Sequence, residues 1–424
     1  MRMAFYGGEL KGTLNTPPSK SYTHRAFFLA SMAKGRSTIF NALLSEDTRA
    51  TLDICGSMGA KIAINGDYNT GDGQTVVIDG GDLHAPTKRI DTKNSGTTMR
   101  IFTGLASIFD TEIEITGDES LQKRPMGPLL EALEQVGVKC TSKNGLPPLT
   151  IKGPNNGGVL NIDGGMSSQY ITSLLMTAPM LRNDSTIKVR GKMVSEPYLD
   201  VTTSMMRKFG AHLKKNDGMF TIHGNSGYTA SDYRVPSDFS SAAFSLVAGA
   251  LGGEVSVLDL DFNDPQGDRR IVDILKMCGA DVKINGTTVT VSRGQINALD
   301  IDMSNIPDLF PIVAVLLSTA NGTSRLYGAP QLKLKESNRI ESTVNMLNAI
   351  GAYAEATDDG CIIQGKQRLV GGTVDNMNDH RIMMSAAVAS VRCDGPVIMD
   401  NAECHVISYP DFPKDMMKLG MRVE

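Results

Sequence analysis

Two kinds of apolar stretch alternate along this chain. The first begins near Thr23, Thr97, Gln169, Asp238, Asp308 and His380, and includes Phe27-Phe28-Leu29-Ala30, Leu174-Leu175-Met176 and Ile312-Val313-Ala314-Val315-Leu316-Leu317. Such stretches are apolar around most of a helical circumference, which predicts helices buried on all sides. The run from Ile312 to Leu317 is far too short to span a bilayer. The second kind carries charge on one face: Asp47 to Met58 and Glu336 to Ile350 read as amphipathic outer helices. The outer helices stop at a recurring phrase, an apolar residue followed by Gly and a small or apolar residue. It occurs at Met58-Gly59-Ala60, Val136-Gly137-Val138, Phe209-Gly210-Ala211, Cys278-Gly279-Ala280, Ile350-Gly351-Ala352 and Leu419-Gly420-Met421. The glycines are 78, 73, 69, 72 and 69 residues apart, and self-similarity at a near-fixed period sets the architecture.

Five stops run on to Asn65-Gly66, Asn144-Gly145, Asp217-Gly218, Asn285-Gly286 and Asp359-Gly360. Asn-Gly or Asp-Gly between alternating runs predicts a tight hairpin, because both central residues need positive φ. The sixth stop lies four residues before Glu424 and leaves no room for a hairpin. An unpaired strand there would leave orphan donors and acceptors, so Met1 to Asn15, with its Gly7-Gly8 pair, is expected to close the sixth unit. A chain of 424 residues is too long for one core. Six units then divide into two lobes of three, residues 1–14 with 234–424 and residues 15–233. The crossovers near Leu14 to Pro18 and Tyr233 to Ser237 contain Pro, which disfavours a continuing helix or central strand.

Polar residues gather just before the buried helices: Ser19-Lys20-Ser21, Asn94-Ser95-Gly96-Thr97, Ser167-Ser168-Gln169, Pro236-Ser237-Asp238, Pro307-Asp308 and Asn378-Asp379-His380-Arg381. Each alone is an ordinary cap. Six helix starts converging on one cleft would attract polyanions. Lys20, Arg25, Arg100, Arg124, Lys335, Arg339 and Arg381 add positive charge. The net charge of −4 argues against a general nucleic-acid binder, which needs a basic face. Local positive charge suits a small anionic substrate. The six cysteines are scattered without C-x-x-C, and a core this large needs no disulfide framework. The six histidines lack paired-ligand spacing, so no metal is expected. Neither G-x-G-x-x-G nor Walker A is present, so no nucleotide cofactor is indicated. The N-terminus lacks the apolar core of a signal peptide. A soluble cytoplasmic protein is expected, with neither a nucleic-acid nor a membrane partner.

Seven pieces stand in order: Pro18-Ser19-Lys20-Ser21-x-x-x-Arg25, Asn94-x-Gly96-Thr97-x-x-Arg100, Arg124-Pro125, Ser167-Ser168-Gln169, Pro307-Asp308, Lys335-Glu336-x-x-Arg339 and Asp379-His380-Arg381. Together they resemble the 5-enolpyruvylshikimate-3-phosphate synthase family, from residue 18 to the C-terminus. The resemblance implies an α/β fold of the α+β type. Two lobes each hold three β-α-β-α-β-β units around buried helices, an inside-out α/β barrel, with the active site in the cleft between them. It implies transfer of the enolpyruvyl group of phosphoenolpyruvate to the 5-hydroxyl of shikimate 3-phosphate. The products are 5-enolpyruvylshikimate 3-phosphate and phosphate, formed through a tetrahedral intermediate on the shikimate route to chorismate and aromatic amino acids. No metal or organic cofactor is implied. The partners are the two anionic substrates, and a monomer is expected.

By resemblance, phosphoenolpyruvate is held by Lys20, Asn94, Gly96, Arg124, Arg339 and Arg381. Shikimate 3-phosphate is held by Lys20, Ser21, Arg25, Ser167, Ser168, Gln169, Ser195, Tyr198, Asp308, Gln331 and Lys335. Asp308 and Glu336 are the acid/base candidates, with Lys20 assisting, and glyphosate should compete with phosphoenolpyruvate. Arg100 reads as an ion pair rather than a clamp. Taken singly, Arg25 and Arg339 read as surface ion pairs, Asp308 as an N-cap and His380 as a satisfied histidine. Gln331 stands where many members have Asn, Ile407 where several have Lys, Ile101 where some have Pro, and His24 where Asn is common. One alternative is a UDP-N-acetylglucosamine enolpyruvyltransferase of the same fold. That family typically has Lys-Asn where this chain has Lys20-Ser21, and a loop Cys where none lies between Cys55 and Cys140. The other alternative is a non-catalytic binding scaffold, against which stand both carboxylates and the phosphate clamp.

Overall fold

The computed structural model describes residues 1–65, 73–87 and 89–424. The chain forms two compact units. One is continuous, Lys20–Val235, and the other joins Met1–Ser19 to Pro236–Glu424. The chain thus crosses between units after Ser19 and after Val235, against expected breaks after residues 14 and 233.

The continuous unit holds α1 (Lys20–Met32), α2 (Glu46–Ser57), α3 (Gly96–Ala106), α4 (Gly127–Glu134), α5 (Ser168–Thr177) and α6 (Pro197–Lys208). The discontinuous unit holds α7 (Phe239–Gly252), α8 (Arg270–Cys278), α9 (Phe310–Leu317), α10 (Arg339–Ala349), α11 (His380–Ala389) and α12 (Phe412–Lys418). The odd-numbered helices are the buried series. Every residue from Phe239 to Leu251 of α7, and every residue of α9, is buried. The even-numbered helices bury one face and stop at the repeated glycines. All six glycines take positive φ: 109° at Gly59, 86° at Gly137, 86° at Gly210, 100° at Gly279, 86° at Gly351 and 108° at Gly420. The residue after each glycine donates its N–H to a carbonyl five residues back, as Ala60 does to Cys55, Ala280 to Leu275 and Met421 to Met416. This is a Schellman closure, and it selects Gly because a Cβ is strained in the left-handed region.

Five of the six sheets among the described residues have four strands in one common order, and the sixth, built on Ala33–Ala42, has five. In one of them, Gly158–Asp163 runs parallel to Ser185–Arg190, with buried α5 as the crossover. Met219–Ile222 then pairs antiparallel with Ser185–Arg190 and closes a hairpin with Leu213–Asn216, after outer α6. This unit, and those spanning residues 90–152 and 300–364, read β-α-β-α-β-β along the chain, whereas the unit that opens with α1 takes its parallel strands from Tyr228–Thr229 and Tyr233–Arg234, at the other end of the continuous stretch.

The N-terminal segment departs from the expectation of a single closing strand. Met3–Tyr6 does pair antiparallel with Arg422–Val423, Phe5 opposite Val423. Leu10–Asn15, however, pairs parallel with Gly253–Leu258 in a second sheet. The chain passes between the two sheets at Gly7, where a Cβ would lie 2.2 Å from the Ser390 carbonyl oxygen.

Two turn expectations are also corrected. Asn144-Gly145 and Asp217-Gly218 form two-residue loops with positive φ at both positions. Asn285 instead pairs with Thr288, so the loop is Gly286-Thr287. Ala356 pairs with Cys361 across four residues, and Gly360 is no positive-φ turn residue. A Cβ there would lie 1.8 Å from the Leu326 oxygen, so close approach of a strand requires this glycine. Gly66 of the Asn65-Gly66 expectation lies outside the described residues.

Helix starts shift as well. α10 begins at Arg339 rather than Glu336, which leaves Lys335 and Glu336 in the segment before it. Asp308 lies in a 3-10 turn, Pro307–Leu309, ahead of α9. All six cysteines are free thiols. Among the described residues, no helix is long and apolar enough to cross a membrane.

Candidate functional site

In the continuous unit the first turns of the buried helices meet one another and the starts of outer helices. Lys20 opens α1, and its ammonium pairs with Asp47 in the first turn of α2 at 2.9 Å. The Asp47 backbone oxygen accepts from Thr98 Oγ1 of α3 at 3.4 Å. Gly96 is the first residue of α3, behind the N-cap Ser95. A Cβ at Gly96 would lie 3.1 Å from Arg100 Nη1 and 3.3 Å from Arg124 Nη1. Arg124 is buried and donates to Asn94 Oδ1 at 3.2 Å and Ser120 Oγ at 3.1 Å. Asn94 donates in turn to Asp118 at 2.6 Å.

Ser167 caps α5 by accepting from Gln169 N at 3.2 Å, and Ser168 is its first residue. Gln169 joins α5 to α3: its Oε1 accepts from Arg100 Nη1 at 2.6 Å and its Nε2 donates to Thr97 Oγ1 at 3.0 Å. Arg100 also lies over the Tyr170 ring, 5.5 Å from its centroid. It thus joins two helices of one unit, with a neutral amide as a close partner.

Arg25 is 2% exposed, which overturns the surface ion-pair reading. Its guanidinium donates to Thr202 Oγ1 at 2.8 Å, to the Ser21 carbonyl at 2.8 Å and to Thr172 Oγ1 at 3.4 Å. These partners are all neutral, and burial pulls its pKa down to about 10. Tyr198 stands close enough to act on that charge. Ser195, just before α6, holds φ 55° while buried, a conformation that costs energy and recurs at ligand sites. His24, one residue before Arg25, bonds Thr51 Oγ1 at 2.7 Å. Burial, Lys20 and Arg25 hold its pKa well below the usual range, so it is neutral.

In the discontinuous unit one guanidinium gathers three carboxylates. Arg339 is 1% exposed, so it too is no surface pair. It donates to Asp379 at 2.9 Å and 3.2 Å, to Asp308 at 3.0 Å and to Glu336 at 2.6 Å. Burial opposes its charge, but Asp379, Glu336 and Asp308 outweigh burial and raise its pKa. Asp379 also caps α11, accepting from Arg381 N at 2.9 Å. Arg381 reaches Asp308 Oδ2 at 3.4 Å and Lys335 reaches Asp308 Oδ1 at 3.7 Å. Asp308 is therefore a carboxylate among cations rather than a simple cap. Burial alone would raise its pKa, yet Arg381, Lys335 and Arg339 hold it well below the carboxylate range.

Asp268 lies near this cluster, and its pKa moves the opposite way. Burial and the charge of Asp308 raise it to about 7, and Ser240 Oγ is its hydrogen-bond partner. Gln331 has its own contact, Nε2 to the Ser304 carbonyl at 3.4 Å. Its buried amide oxygen has no partner among the described residues. Ile407 ends a 3-10 turn, Ala402–Ile407, and brings no charge.

The profile of the family described as EPSP synthase (3-phosphoshikimate 1-carboxyvinyltransferase) matches residues 6–416. The chain belongs to the EPSP synthase family. A 3-phosphoshikimate 1-carboxyvinyltransferase from Methanocorpusculum labreanum is 46% identical over 423 residues, covering 99% of each chain. One from Clostridium novyi is 40% identical, over 97% of this chain and 96% of its own. Among solved structures, an EPSP synthase from Acinetobacter baumannii superposes with a TM-score of 0.81 at 28% identity, covering 100% of this chain and 99% of that one.

Sequence reasoning passed over three residues of these EPSP synthase clusters as site groups: Asp47, Asp268 and Asp379. Asp47 looked like one more charge on an outer helix, and Asp379 like a cap. The repeat itself held a signal. Arg124, Tyr198 and Glu336 all stand at the starts of outer helices, and so do Asp47 and Asp268.

Proposed function

We propose that this enzyme transfers the enolpyruvyl group of phosphoenolpyruvate to the 5-hydroxyl of shikimate 3-phosphate, and that the residues gathered above do the work. Buried Arg25, with its neutral partners, and the α5 N-terminus at Ser167 and Ser168 suit the shikimate phosphate. Ser21, Gln169, Ser195, Tyr198, Gln331 and Lys335 complete that set. Lys20, Asn94, Gly96, Arg124, Arg339 and Arg381 hold phosphoenolpyruvate.

The observation that carries the reading is Asp308 and Glu336 sharing the guanidinium of Arg339. Asp308 is ionised and accepts the proton of the 5-hydroxyl. When phosphoenolpyruvate engages Arg339, Glu336 loses its cation, its affinity for a proton rises, and it becomes the donor. Glu336 protonates the methylene carbon while the hydroxyl oxygen adds to the adjacent carbon, giving the tetrahedral intermediate. A methyl proton then returns to Glu336, the carbon–phosphate oxygen bond breaks, and phosphate leaves with the proton from Asp308. Lys20 offsets the charge that develops on the phosphate side. The same reading takes the enzyme to be a cytoplasmic monomer, the second of which sedimentation measures.

Phosphate release by the purified chain tests the reading, with shikimate 3-phosphate and then UDP-N-acetylglucosamine as acceptor. Turnover with the first alone is expected, and turnover with the second alone would overturn it. Glu336→Gln should stop exchange of solvent hydrogen into the methylene group, while Asp308→Asn should leave phosphoenolpyruvate binding measurable.

A further inference from the structure

The discontinuous unit carries a second concentration of positive charge, away from the residues assigned above. An open cavity of about 730 Å³ lies at the C-terminal ends of α7 and α11. Asp379 and Arg381 mark the other end of α11, one helix length away, about 15 Å at 1.5 Å per residue. The floor is backbone, Gly7-Gly8 against Gly252-Gly253. Side chains cannot cover it, since a Cβ at Gly253 would lie 1.9 Å from the Leu10 oxygen.

Four cations line the cavity, Lys11, Arg293, Arg368 and Arg392, against two carboxylates, Glu9 and Glu254. The three arginines come from three separate segments. Arg392 is pulled down in pKa by burial and then by the like charges of Arg293 and Arg368. The protein offsets only part of that repulsion, through Asp394, Glu9 and Glu254. Arg368 pairs with Asp394 at 2.8 Å, Arg392 donates to the Gln367 carbonyl at 2.6 Å, and Glu254 is occupied by Ser292 Oγ at 3.0 Å. The Arg293 side chain makes no hydrogen bond or ion pair among the described residues. Helix C-termini do attract cations, yet the bonds these arginines make go to Gln367 and Asp394, not to the last carbonyls of α7 or α11.

We propose that this cavity is an anion site for a small polyphosphate. Several guanidiniums around one basin match an anion with more than one phosphate group, each able to take a two-pronged contact. Among the described residues no aromatic ring lines the cavity, so nothing there stacks a base. The phosphates, not a nucleoside, are what it would recognise.

Inorganic pyrophosphate is the probe, titrated calorimetrically into the full-length chain at low salt. Wild type is compared with Arg293→Gln/Arg392→Gln. Binding at the residues assigned to catalysis is common to both proteins, so the difference reports this cavity. We expect the double variant to lose a binding component or weaken it at least tenfold, with kcat and KM unchanged when pyrophosphate is absent. Glu254→Gln should tighten the same component several-fold, which keeps the test open if the double variant does not fold. Superimposable isotherms for wild type and the double variant, or no response to Glu254→Gln, would overturn the proposal. So would a double variant that melts earlier while binding pyrophosphate as wild type does, since the arginines would then serve only the fold.

Discussion

A methyl group at Gly96 would press on two guanidiniums at once, 3.1 Å from Arg100 and 3.3 Å from Arg124. Gly96→Ala should therefore act through Arg124 as well as by narrowing the pocket. We expect at least about tenfold weaker glyphosate inhibition, ~1.4 kcal/mol, and a smaller rise in the KM for phosphoenolpyruvate. Inhibition measured with phosphoenolpyruvate varied decides this, and equal sensitivity of both proteins would place that substrate elsewhere. For Lys20 the role proposed in turnover has to be separated from its observed pairing with Asp47. Lys20→Ala should cost about 10²–10³-fold in turnover, but it also leaves Asp47 buried without its cation, which lowers stability. Adding Asp47→Asn should restore melting temperature and not turnover. Recovery of both would make Lys20 structural. His24 gives a pH signature. Its folded pKa lies well below that of the unfolded chain, so below about pH 6.5 the unfolded state binds more protons and stability falls with pH. Melting temperatures from pH 7.5 to 5 should drop more steeply in wild type than in His24→Asn, and parallel curves would contradict the neutral assignment.

At the scale of elements, the six helix stops separate backbone strain from crowding. Gly137 and Gly279 both hold positive φ, 86° and 100°. A Cβ at Gly137 meets nothing within 4 Å, whereas one at Gly279 lies 2.5 Å from the Gln295 oxygen. Gly137→Ala should cost only the left-handed penalty, about 1–2 kcal/mol. Gly279→Ala should cost more, because a backbone oxygen cannot step aside, and equal losses in denaturant melts would refute that division. These stops were legible in the sequence because one residue type satisfies the geometry, and the period then exposed the unit. Gly360 was misread for a related reason: glycine answers both to positive φ and to close approach, and the letters do not say which. The division of the N-terminal segment between two sheets was equally hidden. Strand partners such as Leu14 and Val257 are far apart in sequence, and periodicity reports a strand, not its neighbour. The site was legible where charge sits in short motifs. Asp47 and Asp379 became visible only through partners 27 and 40 residues away.

At the scale of the whole molecule, the chain enters one unit, leaves it after Ser19 and returns at Pro236. The two crossings lie side by side within the discontinuous unit. Ser19 N donates to the Pro236 oxygen at 2.9 Å, Asp238 N to the Pro17 oxygen at 3.1 Å, and Pro18 bridges Ser237. Residues 236–424 alone lack two strands, Met3–Tyr6 from the sheet of Arg422–Val423 and Leu10–Asn15 from the sheet of Gly253–Leu258. Each loss bares a row of backbone groups and opens the core beneath, where Phe5, Leu10 and Leu14 are buried. That fragment should therefore fail to fold. Joining residues 1–19 to 236–424 through a short Gly/Ser linker should restore it, since the ends to be joined already touch and closing a short loop costs little entropy. Among the described residues, 20–235 hold their own core, three buried helices and three sheets, and should fold without help. Cooperative melting of the spliced chain and of 20–235, but not of 236–424, is the expected outcome. Cooperative melting of 236–424 alone would show that the N-terminal strands are not needed to complete that unit.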